Sequence, residues 1–118
     1  MDSGLVTLQE AVAELQENQS ECMAVCTDVS KTSALDKLVG QTVERFQRID
    51  ILVNNAGICP RVAFDEITEE ELDQVMAVNF KGPLLLTQKV LRVMMQWQYG
   101  RIVNIVSAAG KLGGIQVG

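Results

Sequence analysis

Four polar positions stand out because each follows, or sits within, an apolar stretch: Asp28, the run Asn54-Asn55-Ala56-Gly57, Asn79 and Ser107. A carboxylate such as Asp28 accepts hydrogen bonds from a ring amine, and ahead of a helix the same residue also serves as an N-cap. Asn55-Ala56-Gly57 lets a backbone run close to a flat ligand, since small side chains do not intrude; a plain turn is the alternative. Asn54 and Asn55 are also able to tie neighbouring strands together by hydrogen bonds. Asn79 falls on the apolar side of a helical stretch with Leu72, Val75 and Met76, and a buried amide must find partners. A structural hydrogen bond that bends the helix is its plainer role. Ser107 carries a hydroxyl that can orient a carbonyl, or it is an ordinary loop residue. The chain has no His, which excludes Ser-His and Cys-His pairs and His-rich zinc sites. No metal site is expected.

These positions need elements that bring them together. Leu5, Leu8, Val12 and Leu15 recur at helical spacing. Cys22 to Val29 reads as a short buried strand. Leu35, Leu38, Val39, Val43 and Phe46 define a second amphipathic helix starting at Ser30 or Thr32. Ile49 to Asn54 is a near-continuous apolar run with β-branched residues, as in a parallel strand covered on both faces. Thr68 and Glu71 form a capping-box pattern ahead of a third helix, which Gly82-Pro83 interrupts or follows with a new start. Ile102 to Val106 reads as a third strand, and 107–118 as a Gly-rich loop. Helix and strand periods alternate, which predicts an α/β doubly wound parallel sheet in three layers, α/β/α. Ligands of such sheets sit at the carboxyl ends of the strands, where Asp28, Asn54-Asn55-Ala56-Gly57 and Ser107 all fall.

At 118 residues, one domain is the ceiling. A compact chain of this size buries between about 60% and about 70% of its unfolded surface. The apolar fraction of 47% excludes a disordered chain. Ten basic against fifteen acidic side chains give a net charge of −5, which argues against nucleic acid as a partner. No apolar run reaches the roughly 20 residues that cross a bilayer, and the first residues resemble no signal peptide. Cys22 and Cys26 flank a β-type stretch spanning about 13 Å, too far for a disulfide or a shared metal. With Cys59 they read as reduced thiols of a cytoplasmic protein. From Leu84 to Trp97 the apolar residues cover an arc of about 200°, roughly twice what packing on a sheet needs. The surplus predicts either a helix deep in a larger domain or a subunit interface.

The sequence resembles the short-chain dehydrogenases/reductases, and among them the 3-oxoacyl-[acyl-carrier-protein] reductase-like enzymes. The most specific match is Ile49-Asp50-Ile51-Leu52-Val53-Asn54-Asn55-Ala56-Gly57-Ile58, an NNAG directly after a buried strand. Asp28-Val29, Val78-Asn79-Phe80-Lys81-Gly82 and Gly100 to Ser107 match three further motifs in the family's order. The resemblance implies a Rossmann-like sheet whose strands here are numbers 3, 4 and 5 of the order 3-2-1-4-5-6-7. It implies that Asp28 and Val29 contact adenine and that Asn55, Ala56 and Gly57 line the cofactor. It gives Asn79 a water in a proton relay and Ser107 a substrate carbonyl to orient. The cofactor is NAD or NADP, the reaction hydride transfer with a ketone or secondary alcohol, including 3-oxoacyl thioesters. The complete enzyme is expected to be a homodimer or homotetramer through the Leu84–Trp97 helix, with no membrane partner. Gln47 stands where the family usually has Gly, and Val106 where a smaller residue is common.

Residues 1–118 contain neither the family's Thr-Gly-x-x-x-Gly-x-Gly turn nor its Tyr-x-x-x-Lys pair. The first would hold the pyrophosphate and the second would move the proton. The stretch is therefore expected to form one incomplete NAD(P)-binding domain, 1–118, with weak or no cofactor binding and no activity alone. A non-catalytic remnant or interaction module is the alternative function, and a nucleotide-binding module without chemistry the weakest. Two strands of the family's sheet are missing between the first strand and the second, a gap near 14 Å that no ladder crosses. The isolated chain is expected not to fold stably in the family's geometry. A structure of it is expected either to be that of a fragment or to show the first strand repacked against the second.

Overall fold

The computed structural model describes residues 3–60 and 62–106. Helix α1 (Ser3–Glu17) is followed by an extended stretch, then by α2 (Thr32–Phe46) and strand β1 (Ile51–Asn54). A 3-10 turn (Phe64–Glu66) leads to α3 (Glu69–Met76), a π turn (Ala77–Lys81), α4 (Gly82–Trp97) and β2 (Arg101–Asn104). The two strands pair in parallel, Ile51 opposite Arg101 and Asn54 opposite Asn104. Bonds from Arg101 N–H to the Asp50 carbonyl and from Ile105 N–H to the Asn54 carbonyl, both 2.9 Å, extend the ladder at either end. The architecture is a partial, Rossmann-like α/β fold.

Among the described residues, one face of the sheet is packed and the other is bare. Leu35 from α2 and Leu86, Val90 and Met94 from α4 form the buried core, with Leu38, Val39, Ile49 and Leu52 against it. The α4 residues recur every four positions, so a single ridge meets α2 and the sheet. A 2.6 Å ion pair between Lys89 and Asp36 bridges the same two helices at their edge. Alternation along β1 sends Leu52 and Asn54 inward and Ile51 and Val53 outward, and the outward pair is 60% and 53% exposed. The double coverage expected for this run is therefore absent among the described residues.

Two helix ends follow from the sequence. Pro83 lies in the first turn of α4, where its missing N–H costs nothing. Gly82-Pro83 does not break the chain's helical course; the π turn absorbs the defect. At its end α2 closes on Gln47, at φ 71°, whose N–H reaches the Val43 carbonyl. Gln98 closes α4 in the same left-handed conformation, at φ 52°.

The strand expected from Cys22 to Val29 is not formed. The stretch runs extended but joins no ladder, because among the described residues no strand lies beside it to take its backbone bonds. It is held instead by its ends. Cys22 Sγ donates to the Val12 carbonyl of α1 at 3.7 Å. Val29 packs against the core, and its carbonyl rests on Gly82, where a Cβ would come within 2.6 Å. The burial expected of a compact chain is not reached either. A protein of 12.9 kDa exposes roughly 6,300 Å² when compact, whereas this chain exposes 9272 Å².

Candidate functional site

The carboxyl ends of β1 and β2 both finish in Asn, and the two side chains meet. Asn54, buried, donates through Nδ2 to Asn104 Oδ1 at 2.9 Å and to Thr87 Oγ1 of α4 at 3.2 Å. This trio cross-links both strands and the long helix. The structural role foreseen for Asn54 is what it performs. Its partners Asn104 and Thr87 were not singled out from sequence. The available signal was two Asn at matching ends of neighbouring parallel strands.

Above the trio lies an open cleft of about 380 Å³, bounded by Ala56, Asn79, Phe80, Leu84 and Val106 among others. Asn55, Ala56 and Gly57 leave β1 as exposed residues, with Ala56 at the cleft. Asn79 sits in the π turn, and its amide closes on one residue of that loop. Oδ1 accepts from Ile58 N–H at 2.8 Å, and Nδ2 donates to the Ile58 carbonyl at 2.7 Å. The side chain thus mimics a strand neighbour and pins the loop to the helix. Gly57 passes the same amide closely, a Cβ there lying 3.5 Å from Asn79 Oδ1.

Asn79 was expected to be buried on an apolar helix side. It is exposed, as are Leu72 and Met76, because nothing among the described residues covers that side. The plainer role weighed for it, a structural bond at a bent helix, describes its side chain. Each end of the amide makes one bond to Ile58, which leaves one Nδ2 hydrogen and one Oδ1 lone pair for other partners.

Asp28 ends the extended stretch, one residue before the Val29–Gly82 contact. Its Oδ1 accepts from Ser30 Oγ at 2.6 Å and from Ser30 N–H at 3.0 Å. The carboxylate shapes the turn into α2 and is not its N-cap, which is Lys31. The two Ser30 bonds, with Lys31 adding a smaller attraction, hold the Asp28 carboxyl below its ordinary value. Val29 therefore borders the first residue of α4, Gly82, while Gly57 and Ile58 border the preceding π turn through Asn79. Ser107 lies outside the described residues. Val106 projects at the cleft with 84% of its surface free.

Cys22, Cys26 and Cys59 form no disulfide. No helix among the described residues is long and apolar enough to cross a membrane.

A parallel strand pair with helices wound across it and an open cleft at the carboxyl ends is a partial Rossmann-like α/β arrangement. Residues 1–118 match the short chain dehydrogenase family, and the chain belongs to it. It is 42% identical over 105 residues to an uncharacterized oxidoreductase of Thermotoga maritima, covering 89% of this chain and 41% of that protein. It is 38% identical over 102 residues to the 3-oxoacyl-[acyl-carrier-protein] reductase of Synechocystis sp., covering 86% and 41%. The crystal structure of a short-chain dehydrogenase from Streptomyces avermitilis superposes with a TM-score of 0.79 at 33% identity, over 89% of this chain and 39% of that one. The chain thus spans about two-fifths of the curated relatives it matches.

Proposed function

We propose that these residues belong to an NAD(P)-dependent oxidoreductase that interconverts a ketone and a secondary alcohol, with 3-oxoacyl thioesters among its substrates. The observation that carries this reading is the Asn79–Ile58 pair, which sets the NNAG backbone along one rim of a cleft at the ends of two parallel strands. The residues fit one end of a dinucleotide. Ala56 and Gly57 offer a flank without bulky side chains, and Asp28 offers an acceptor for an adenine amine. Within residues 1–118 nothing fits the pyrophosphate, since no Gly-rich turn is present. When bound, the nicotinamide supplies or accepts the hydride.

This chain's own residues bind and orient. Ser107 orients the substrate carbonyl, Asn79 holds the loop in register, and Val106 narrows the cleft beside the reacting carbon. Proton transfer needs a donor of the Tyr-x-x-x-Lys kind, which 1–118 does not contain, so the stretch alone binds cofactor weakly or not at all and turns nothing over. The complete enzyme is cytoplasmic and pairs through α4 as a dimer or tetramer.

A second reading, an interaction module without catalysis, draws on the apolar side chains that α4 leaves exposed. One experiment separates the two. NADH and NADPH oxidation is followed with a 3-oxoacyl thioester, for the 118 residues alone and for a chimera in which they replace the matching part of the Synechocystis reductase. The oxidoreductase reading expects activity from the chimera and its loss on Ser107→Ala. A soluble, folded chimera that oxidises neither cofactor refutes it and favours the module.

A further inference from the structure

Away from the cleft, the stretch from Cys22 to Val29 is extended but joins no ladder. From Cys22 to Thr27 it carries neither a charge nor Pro, the features that commonly keep an exposed strand from pairing with a neighbour. The Met23 backbone makes no hydrogen bond among the described residues, and the Val25 carbonyl accepts only from Thr27 Oγ1, at 3.1 Å. Alternation puts Cys22, Ala24 and Cys26 on one side of the stretch, and that side meets α1. Cys22 Sγ donates to the Val12 carbonyl at 3.7 Å, and Ala24 and Cys26 line a hollow with Leu8 and Val12. Both cysteines are reduced, Cys26 being exposed and Cys22 half-buried. Within one chain they lie about 13 Å apart along the extended backbone, too far to bond to each other.

We propose that two copies of this chain pair edge to edge through this stretch, antiparallel, about a two-fold axis at Ala24. The run Cys22-Met23-Ala24-Val25-Cys26 is symmetric about its centre in residue type, so a second copy is the occupant that matches it. With Ala24 opposite itself in a non-hydrogen-bonded pair, Met23 and Val25 exchange N–H to carbonyl bonds with the partner's Val25 and the partner's Met23. Cys22 then lies opposite the partner's Cys26, and Cys26 opposite the partner's Cys22. Such pairs bring their Cα atoms to about 4.5 Å, inside the roughly 4.4 to 6.8 Å that a disulfide spans. Glu21 meets the partner's Thr27, and Asp28 the partner's Ser20. A one-residue slip in either direction parts the cysteines, and in one direction it sets Glu21 against the partner's Asp28, two like charges. The pairing leaves the facing thiols open to an oxidant of the disulfide class. One thiolate attacks glutathione disulfide and releases a first glutathione thiolate. The facing thiolate attacks the mixed disulfide, closes the interchain bond and releases the second. Two protein thiols are oxidised, the reagent is reduced to two thiols, and the protein thiol protons pass through water to the departing glutathiones. The interface stands independently of the hydride-transfer reading.

The test oxidises the 118-residue chain carrying Cys59→Ser with glutathione disulfide and reads the products by non-reducing gel and intact mass. A covalent dimer is expected, lighter than two chains by the hydrogens of two disulfides. Cys22→Ser and Cys26→Ser are then added separately to the same background. Each variant alone keeps one thiol per chain, which pairing about Ala24 sets against a serine. Each should therefore cross-link at least about tenfold more slowly than an equimolar mixture of the two, in which the remaining thiols face each other. The proposal is overturned if either variant alone cross-links as fast as the mixture, which is the pattern of parallel pairing or of an unfolded chain. It is equally overturned if the dimer carries a single bridge, or if no covalent dimer forms. The dimer's mass needs no substitution at Cys22 or Cys26, so a misfolded serine variant does not decide the matter.

Discussion

Asn79 commits both ends of its amide to Ile58, and that pairing is testable without any ligand. Asn79→Ala removes the acceptor of the Ile58 N–H and the donor to its carbonyl together. Ile58 is 41% exposed, so water replaces part of what is lost, and the cost should be about 1 kcal/mol rather than the larger penalty of a sealed site. Hydrogen exchange at the Ile58 amide should accelerate by roughly fivefold, with α2 unaffected; unchanged exchange there would show that the clamp holds nothing. Asp28 gives a second test. Its carboxyl titrates below its ordinary value chiefly because Ser30 donates to it twice. A lowered carboxyl contributes stability above the unfolded pKa and loses it as pH falls through the folded one. The turn into α2 should therefore loosen at acid pH and hold at neutral pH. In Ser30→Ala the Asp28 carbonyl-region NMR titration should move up toward the ordinary carboxyl value, since the larger of the two bonds is gone.

At the scale of elements, two helices end on glutamine in a conformation that favours glycine. Gln47 at φ 71° and Gln98 at φ 52° carry a Cβ where Gly would carry none. Gln47→Gly and Gln98→Gly should each stabilise by about 0.5–1 kcal/mol, the relief being partly offset by the freer unfolded chain. A higher urea midpoint for helical ellipticity would register it. Gly82 is the opposite case. An added Cβ meets the Val29 carbonyl at 2.6 Å, backbone against backbone, so Gly82→Ala should push the extended stretch off α4. A loss of about 2 kcal/mol or more and faster exchange around Val29 are expected. These positions also mark what was legible in advance. The α2 and α4 stripes announced themselves because Leu35, Leu86, Val90 and Met94 keep helical period, and NNAG after an apolar run marked the carboxyl end of β1. The strand from Cys22 to Val29 was misread because its residues suit a buried strand, while pairing depends on neighbours that the local pattern cannot report. The π turn was equally hidden. Nothing local in Ala77–Lys81 distinguishes it from α-helix, and it is the Ile58 bonds to Asn79, twenty-one positions apart in sequence, that accompany the extra residue in the turn.

The whole molecule is open. Its radius of gyration is 16.7 Å, whereas about 13.5 Å suits a compact chain of this length. With 9272 Å² exposed, it buries roughly half of its unfolded surface, short of the roughly two-thirds that a compact chain manages. Among the described residues, exposed apolar side chains include the outward face of the sheet and the free side of the long helical run, where Phe80, Leu84, Leu91 and Met95 are 60%, 51%, 44% and 67% exposed. Unfolding enthalpy and cooperativity both scale with what is buried, so the 118-residue chain should unfold broadly. Its calorimetric enthalpy should fall well under the roughly 80 kcal/mol expected of a compact domain this long, and the van't Hoff enthalpy should be smaller than the calorimetric one. Apolar surface of this extent also drives association. The pair Leu84→Glu and Met95→Lys lies on the exposed side and away from the buried ridge, so it should lower the sedimentation coefficient of the associated species while leaving ellipticity intact. A sharp transition with the full enthalpy, from a species that sediments as a monomer before any substitution, would mean that the bare face and the free helix side are covered in solution by the chain itself.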